Sequence, residues 1–330
     1  MIRLEKLLSP HAEIVYRRRR RFFEKRIVRH DRGSYVLYRF SFPWQSRRLS
    51  KLLLECEAAG APTQRLLHSG KGLRSFLTYF GFWLVASYEQ GQPWDVAFVS
   101  AEQMTSLAQA LARLHSVQSR FPGPVFRNLP FWSESLDRSW RSEGLAAVNA
   151  AAVLDEVQKN EIKEWLHRSS SVFAGSSFYQ LVHGDLWAKN VLVVNGASVR
   201  LIDYEKAAFT HAGFELADAL IRFTSGRNQK HRGEFLRAYL AGCLPIVKES
   251  WRRHAPEFLI YALLRLAWSR LRRVRMLRRR GESSEIGRMM QQFERYLLHA
   301  SAFVQACNAG AGERGKRLAH YLTAPPSQKL

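Results

Sequence analysis

The sequence predicts an α+β protein of two lobes, a small β-rich one followed by a larger, mostly helical one. Three observations carry this. Apolar runs rich in Val, Tyr, Phe and Trp, separated by turn residues, fill residues 1–90. Near Gln90–Asp95 the apolar period changes, because Met104, Leu107, Leu111 and Leu114 recur at helical intervals. From Phe214 to Asn308 the pattern stays helical. The expected organisation is residues 1–90 as one lobe, 91–308 as the second, and 309–330 as a flexible tail rich in Gly, Lys, Pro and Ser.

The first lobe reads in order. Phe22–Val28 and Tyr35–Phe40 flank His30-Asp31-Arg32-Gly33-Ser34, a turn-like cluster, and form a hairpin. Leu49–Ala59 has helical spacing and stops at Gly60-Ala61-Pro62. Leu66-Leu67 and Phe76–Tyr79 read as short strands, and Phe82–Glu89 as a longer one ending at Gly91-Gln92-Pro93.

In the second lobe, Ala101–Gln118 and Ala146–Ser169 read as helices, and Phe121–Trp140 as a loop. Tyr179–Val182 and Val191–Val194 are strands that bracket a polar loop. A third strand, Val199–Ile202, follows the Asn195-Gly196 turn. Phe258–Arg280 is a long helix with Ile260, Leu264, Ala267, Leu271 and Val274 on one face and arginines around the rest. Such a stripe packs into a core more often than onto an anionic membrane.

Composition narrows the function. An apolar share of 46% and a charged share of 24% suit a packed globular chain and exclude a disordered one. Fifty-one basic against 28 acidic residues give a net charge of +23, which favours anionic partners. No nucleic-acid motif joins the basic residues to stacking aromatics, so nucleic acid is not expected. Cys56, Cys243 and Cys307 form no CxxC pair, which fits a reducing, cytoplasmic setting. Met1–Pro10 has no secretory pattern, and Phe76–Ser87 is too short to span a bilayer.

The chemistry concentrates in Leu181-Val182-His183-Gly184-Asp185-Leu186-Trp187-Ala188-Lys189-Asn190-Val191-Leu192-Val193. A strand delivers His-Gly-Asp, and an Asn stands just before the next strand. One rigid loop thus carries a carboxylate able to accept a hydroxyl proton and an amide oxygen able to ligate Mg²⁺. Val199-Arg200-Leu201-Ile202-Asp203-Tyr204-Glu205 then ends a strand in acidic residues, and a carboxylate there can bridge Mg²⁺ to nucleotide phosphates.

HGDLWAKN followed by LIDYE resembles the HGDxxxxN and IDxE motifs of the aminoglycoside phosphotransferase and choline kinase-like family. The resemblance implies a bilobal protein-kinase-like fold and an ATP- and Mg²⁺-dependent transfer of phosphate to a hydroxyl. By resemblance, Asp185 is the catalytic base, His183 supports its loop, and Asn190 and Asp203 hold the metal. Glu205 and Trp187 lie on the substrate side. Ala110–His115 is similar to the family's LAxLH helix, and Phe214–Asp218 to the helix opening after IDxE. Phe82–Gly91 resembles the strand and hinge that contact adenine, which assigns Ser87, Tyr88 and Glu89 to nucleotide binding. The likeness runs from Tyr35 to Phe223.

The amino-terminal lobe departs from that pattern. No glycine-rich phosphate loop is visible between Arg17 and Ser34, and the third strand lacks the family's lysine. Arg39 is the cation nearest to its place. The run Arg17–Arg21 reads as a phosphate-binding segment or a solvated face. The resemblance implies as acceptor a small hydroxyl compound of the aminoglycoside, choline, thiamine or sugar type. Two alternatives stand beside it: a lipopolysaccharide core sugar with peripheral contact at an anionic inner membrane, which the basic balance favours, and an inactive kinase-like binding module, which the departures in the amino-terminal lobe suggest.

Overall fold

A computed structural model describes residues 13–20, 23–30, 33–67, 75–78, 81–95, 99–117, 134–173 and 180–309. The chain forms two compact units, Met1–Trp94 with Ala188–Glu205, and Asp95–Trp187 with Lys206–Leu330. The HGDLWAKN segment is therefore divided between them after Trp187.

The first unit is built on a five-stranded antiparallel sheet in the order β1-β2-β3-β5-β4. Its strands are β1 (Glu13–Arg20), β2 (Phe23–His30), β3 (Gly33–Phe40), β4 (Ser75–Thr78) and β5 (Gly81–Ser87). In β3, Tyr35 and Leu37 face one side and Val36, Tyr38 and Phe40 the other, and all five are buried. Val28, Tyr35, Leu37 and Trp83 form an apolar cluster on the first of these faces. β1 contains Arg17–Arg20 of the arginine run, a segment for which the sequence predicts no strand. Its pattern is Ile14-Val15-Tyr16, a β-prone start that the following charge obscures.

Helix α1 (Pro43–Ala58) opens with Pro at its first position, where the missing N–H costs nothing. Leu49, Leu52, Leu53 and Cys56 bury its inner stripe against the sheet. Each such leucine contributes ~1.5–3 kcal/mol by leaving water. Gly60, at φ 67°, ends the helix. A second sheet pairs β6 (Gln92–Pro93), β8 (Val191–Val194) and β9 (Ser198–Leu201) in the order β6-β8-β9. The Leu201 N–H donates to the Pro62 carbonyl at 2.8 Å, which ties β9 to the segment after α1.

Among the described residues, the second unit is helical apart from the pair β7 (Gln180–Val182) and β10 (Ala208–Thr210). Helix α2 (Ala101–His115) starts on a capping box, in which Ser100 Oγ accepts the Gln103 N–H and Gln103 Oε1 accepts the Ser100 N–H. Helices α3 (Glu134–Asn149) and α4 (Glu156–Phe173) replace the single helix expected over Ala146–Ser169. The break lies at Asp155, whose Oδ1 accepts the Gln158 N–H at 2.8 Å and begins a new helix. Helix α3 also takes up Glu134–Trp140, the end of the expected loop; most of that loop, and the expected tail beyond Ala309, lie outside the described residues.

Helix α5 (Ala212–Phe223) is buried nearly all round, the mark of a central helix. Helices α6 (Arg232–Gly242), α7 (Pro245–Arg279) and α8 (Ile286–Asn308) complete the unit. Helix α7 kinks at His254, two residues before Pro256. Its stripe Ile260, Leu264, Ala267, Leu271 and Val274 is buried, while Arg272, Arg275, Arg278, Arg279 and Arg280 are exposed. The stripe is core. No helix among the described residues is long and apolar enough to cross a membrane.

Candidate active site

In the second unit, β7 ends at Val182 and the chain turns through His183-Gly184-Asp185. A buried carboxylate holds this turn. Glu215, in the first turn of α5, accepts the His183 N–H at 2.7 Å on Oε2 and the Gly184 N–H at 2.7 Å on Oε1. Its Oε2 also lies 3.0 Å from Nε2 of His115, whose Nδ1 is 2.6 Å from the Tyr239 hydroxyl. Burial alone would raise the Glu215 pKa, but the hydrogen bond and charge of His115, the charge of His183 and the His183 N–H hold it below the ordinary value. The same burial, with Cys243 and Glu215 nearby, pushes the Tyr239 phenol well up.

Gly184 is required twice over. Its φ is 75°, and a β-carbon there would lie 2.1 Å from the Lys206 carbonyl oxygen. His183 is fully buried, and its Nδ1 accepts the Asp185 N–H at 3.4 Å, so the ring braces the backbone of Asp185. Asp185 is partly exposed, with Oδ1 2.9 Å from Nζ of Lys206. Trp187 is exposed.

In the first unit, Ala188–Asn190 form a 3-10 turn leading into β8, and Asn190 is buried. The Ile202 N–H donates to the Asn190 carbonyl at 3.0 Å, joining Asn190 to the segment that leads from β9 to Asp203. Asp203 takes the left-handed conformation at φ 71°. Lys25 Nζ lies 3.2 Å from its Oδ1, and an Arg18 guanidinium nitrogen 3.8 Å from its Oδ2. A carboxylate and an amide are the hard oxygen donors that Mg²⁺ prefers. Among the described residues no group of three His, Cys, Asp or Glu side chains could form a metal cage. The donor set therefore fits an ion that completes its shell with water and phosphate oxygens.

Lys25 and Arg18 face Asp203, and Arg39 does not. Arg39 stands opposite Glu24 in the β2–β3 register and its guanidinium reaches Glu24 Oε2 at 3.5 Å, on the other side of the sheet from Lys25. Arg17 and Arg26 converge on the same buried Glu24 at 2.5 and 2.8 Å. At the end of β5, the Ser87 N–H donates to the Arg65 carbonyl at 2.8 Å, and its own carbonyl accepts from Gln64 at 3.1 Å. Ser87 Oγ donates to Glu89 Oε1 at 2.5 Å, Glu89 pairs with Arg200 at 3.7 Å, and Tyr88 is exposed. The Glu205 side chain lies outside the described residues.

Sequence reasoning did not single out Glu215 behind the His183–Asp185 turn, Lys206 beside Asp185 or Lys25 beside Asp203. Glu215 sat in the recognised Phe214–Asp218 segment, and its position in the first turn of a buried helix was the available signal.

The profile of the phosphotransferase enzyme family matches residues 23–256. The chain belongs to that family. No curated protein matches it. Among solved structures it is similar to an aminoglycoside phosphotransferase from Alicyclobacillus acidocaldarius, with 17% identity, 93% of each chain covered and a TM-score of 0.55. It is also similar to a spectinomycin phosphotransferase in complex with ADP and spectinomycin, at 12% identity, 92% of this chain, 97% of that one and a TM-score of 0.55. A choline kinase from Cryptosporidium parvum shares 13% identity over 95% of this chain and 92% of its own, with a TM-score of 0.52. These likenesses show the protein-kinase-like fold, a small antiparallel sheet region and a larger helical part. Family membership makes the protein an ATP-dependent phosphotransferase with a hydroxyl group as acceptor.

Proposed function

We propose that this phosphotransferase moves the γ-phosphate of ATP to a hydroxyl of a small molecule, with Asp185 as base and Asn190 and Asp203 as Mg²⁺ ligands. The observation that carries the reading is the clamp of Glu215 on the His183 and Gly184 N–H groups. It fixes the backbone that presents a partly exposed carboxylate to solvent, as a base for an incoming hydroxyl requires.

In this reading Asp185 accepts the acceptor's proton as its oxygen bonds to the γ-phosphorus and the bridging bond to ADP breaks. His183 holds the Asp185 backbone, and Lys206 supplies a cation beside the carboxylate. When bound, Mg²⁺ neutralises the charge that develops on the phosphate oxygens. Ser87, Tyr88 and Glu89 take the adenine side: the fixed Ser87 backbone and the Glu89–Arg200 pair give that segment a set conformation. Trp187, exposed two residues past the base, and Glu205 take the acceptor side. The spectinomycin and choline enzymes favour an acceptor of small-molecule size.

The test incubates the protein with γ-labelled ATP, Mg²⁺ and cell extract separated into small-molecule and lipid pools, beside Asp185→Asn. Label in the small-molecule pool, reduced about 10²–10⁴-fold in the variant, is the expected result. Transfer by Asp185→Asn at the full rate would remove Asp185 as base. Label confined to the lipid pool would overturn the acceptor class.

A further inference from the structure

We propose that Lys25, on β2, is the lysine that holds the nucleotide's phosphates, displaced by one strand from the β3 position where related sequences carry it. The inference rests on the ATP-dependent reading above.

The strand register makes the displacement possible. Lys25 stands directly opposite Tyr38 on β3, so the two side chains leave the same face of the sheet. A lysine can thus be supplied to that face from either strand. Here β3 gives a buried Tyr38, whose hydroxyl donates to Gln64 Oε1 at 2.9 Å, and β2 gives the ammonium. Lys25 is 9% exposed, and its Nζ lies 5.6 Å from the Tyr38 ring centroid as well as 3.2 Å from Asp203. Its stem is packed and its head is aimed at the carboxylate assigned to the metal.

Arg18 is opposite Lys25 in the β1–β2 register and reaches the other oxygen of the same carboxylate. Asp203 thus gathers two cations on this face, Lys25 largely buried and Arg18 more open to solvent. A nucleotide held beside Asp203 would present phosphate oxygens, the anions that an ammonium and a guanidinium bind. The opposite face is arranged differently: Glu24 draws Arg17, Arg26 and Arg39 into a cluster of their own. Arg39 is thereby committed to a carboxylate, while Lys25 faces the metal side.

The rival account makes Lys25–Asp203 a structural ion pair that only holds the end of β9 to the sheet. Binding of ATP and of adenosine, which lacks phosphates, separates the two. Affinities are measured by displacement of a fluorescent ATP analogue, with melting curves alongside. Lys25→Met is expected to weaken ATP about 10- to 100-fold and to leave adenosine within about twofold, while Lys25→Arg keeps most of the ATP affinity and Arg39→Met leaves it unchanged. Equal losses for ATP and adenosine in Lys25→Met, or no loss for either, would overturn the proposal.

A second measurement needs no variant. An ATP analogue acylated on its γ-phosphate transfers the acyl group to an amine lying against that phosphate, forming an amide and releasing ATP. Peptide mapping of the wild-type protein is expected to find the acyl group on Lys25, and its absence there in protein labelled elsewhere would also overturn the proposal. If the wild-type protein bound adenosine and ATP equally weakly and took no label at all, the ATP-dependent reading itself would fall, an outcome distinct from the failure of Lys25 alone.

Discussion

Lys206 sets its ammonium nitrogen 2.9 Å from Oδ1 of Asp185. Both side chains are partly open to solvent, at 48% and 34%, so the pair adds under ~1 kcal/mol to stability. With Asp185 as the proposed base, the pair would instead orient the carboxylate and balance charge during transfer. Lys206→Met is expected to leave the melting temperature unchanged and to lower kcat roughly tenfold, equivalent to ~1.4 kcal/mol in the barrier. Steady-state kinetics beside thermal melts check this; an unchanged kcat would reduce Lys206 to a surface residue.

Glu215 answers two backbone N–H groups and one imidazole from a single carboxylate. Glutamine offers one acceptor oxygen where two are used. Glu215→Gln is expected to lose ~1–3 kcal/mol of stability through an unsatisfied buried N–H, and about 100-fold in kcat through a displaced loop. Nucleotide affinity should stay near wild type. Urea unfolding, kinetics and nucleotide titration together test it.

Two glycines make a contrast. Gly184→Ala meets the Lys206 carbonyl and adds ~1–2 kcal/mol of left-handed strain, so both stability and kcat should fall sharply. Gly233, in α6, has open space where a β-carbon would stand. Gly233→Ala should leave activity intact and raise stability by up to ~1 kcal/mol. A melting-temperature rise at 184 would contradict the close approach described for the loop.

Burial, followed by the charges of Arg295 and Arg232, pushes the His299 imidazole down to about 4 from an ordinary 6.5. Between these values the unfolded chain binds a proton that the folded chain does not. Stability is therefore complete above pH 6.5 and declines as pH falls toward 4, by up to ~3 kcal/mol. His299→Gln should flatten that decline in urea midpoints measured from pH 4 to 7. A wild-type midpoint that does not move over this range would contradict it.

What the sequence made legible was local. His183, Asp185 and Asn190 lie within eight residues, and their loop is declared by the apolar strands on either side. Gly60 announced a helix end through chemistry confined to one turn. Illegible were the partners brought together by pairing distant segments. His115 and Glu215 are 100 positions apart, and neither shows by itself that it secures a loop. Lys25 was hidden among arginines, because only the β2–β3 register reveals which basic residues share a face with Asp203. The strand over Glu13–Arg20 escaped for a related reason: its arginines read as a charge run until Glu24 gives two of their neighbours on the sheet a partner.

The short connection closed by the His30–Gly33 pair also fixes electrical polarity. Because neighbouring residues of a strand point to opposite sides, sliding β2 by one position would turn Glu24 toward Asp203 and Lys25 toward Arg39. Acid would then meet acid and base would meet base. Inserting or deleting one residue in Phe23–His30 would invert both charge clusters at once, whereas a change of two would restore the sidedness and spoil only the alignment. This hairpin should therefore tolerate even changes in length better than odd ones, a parity rule imposed by charge on a stretch of sequence that otherwise looks uniformly basic.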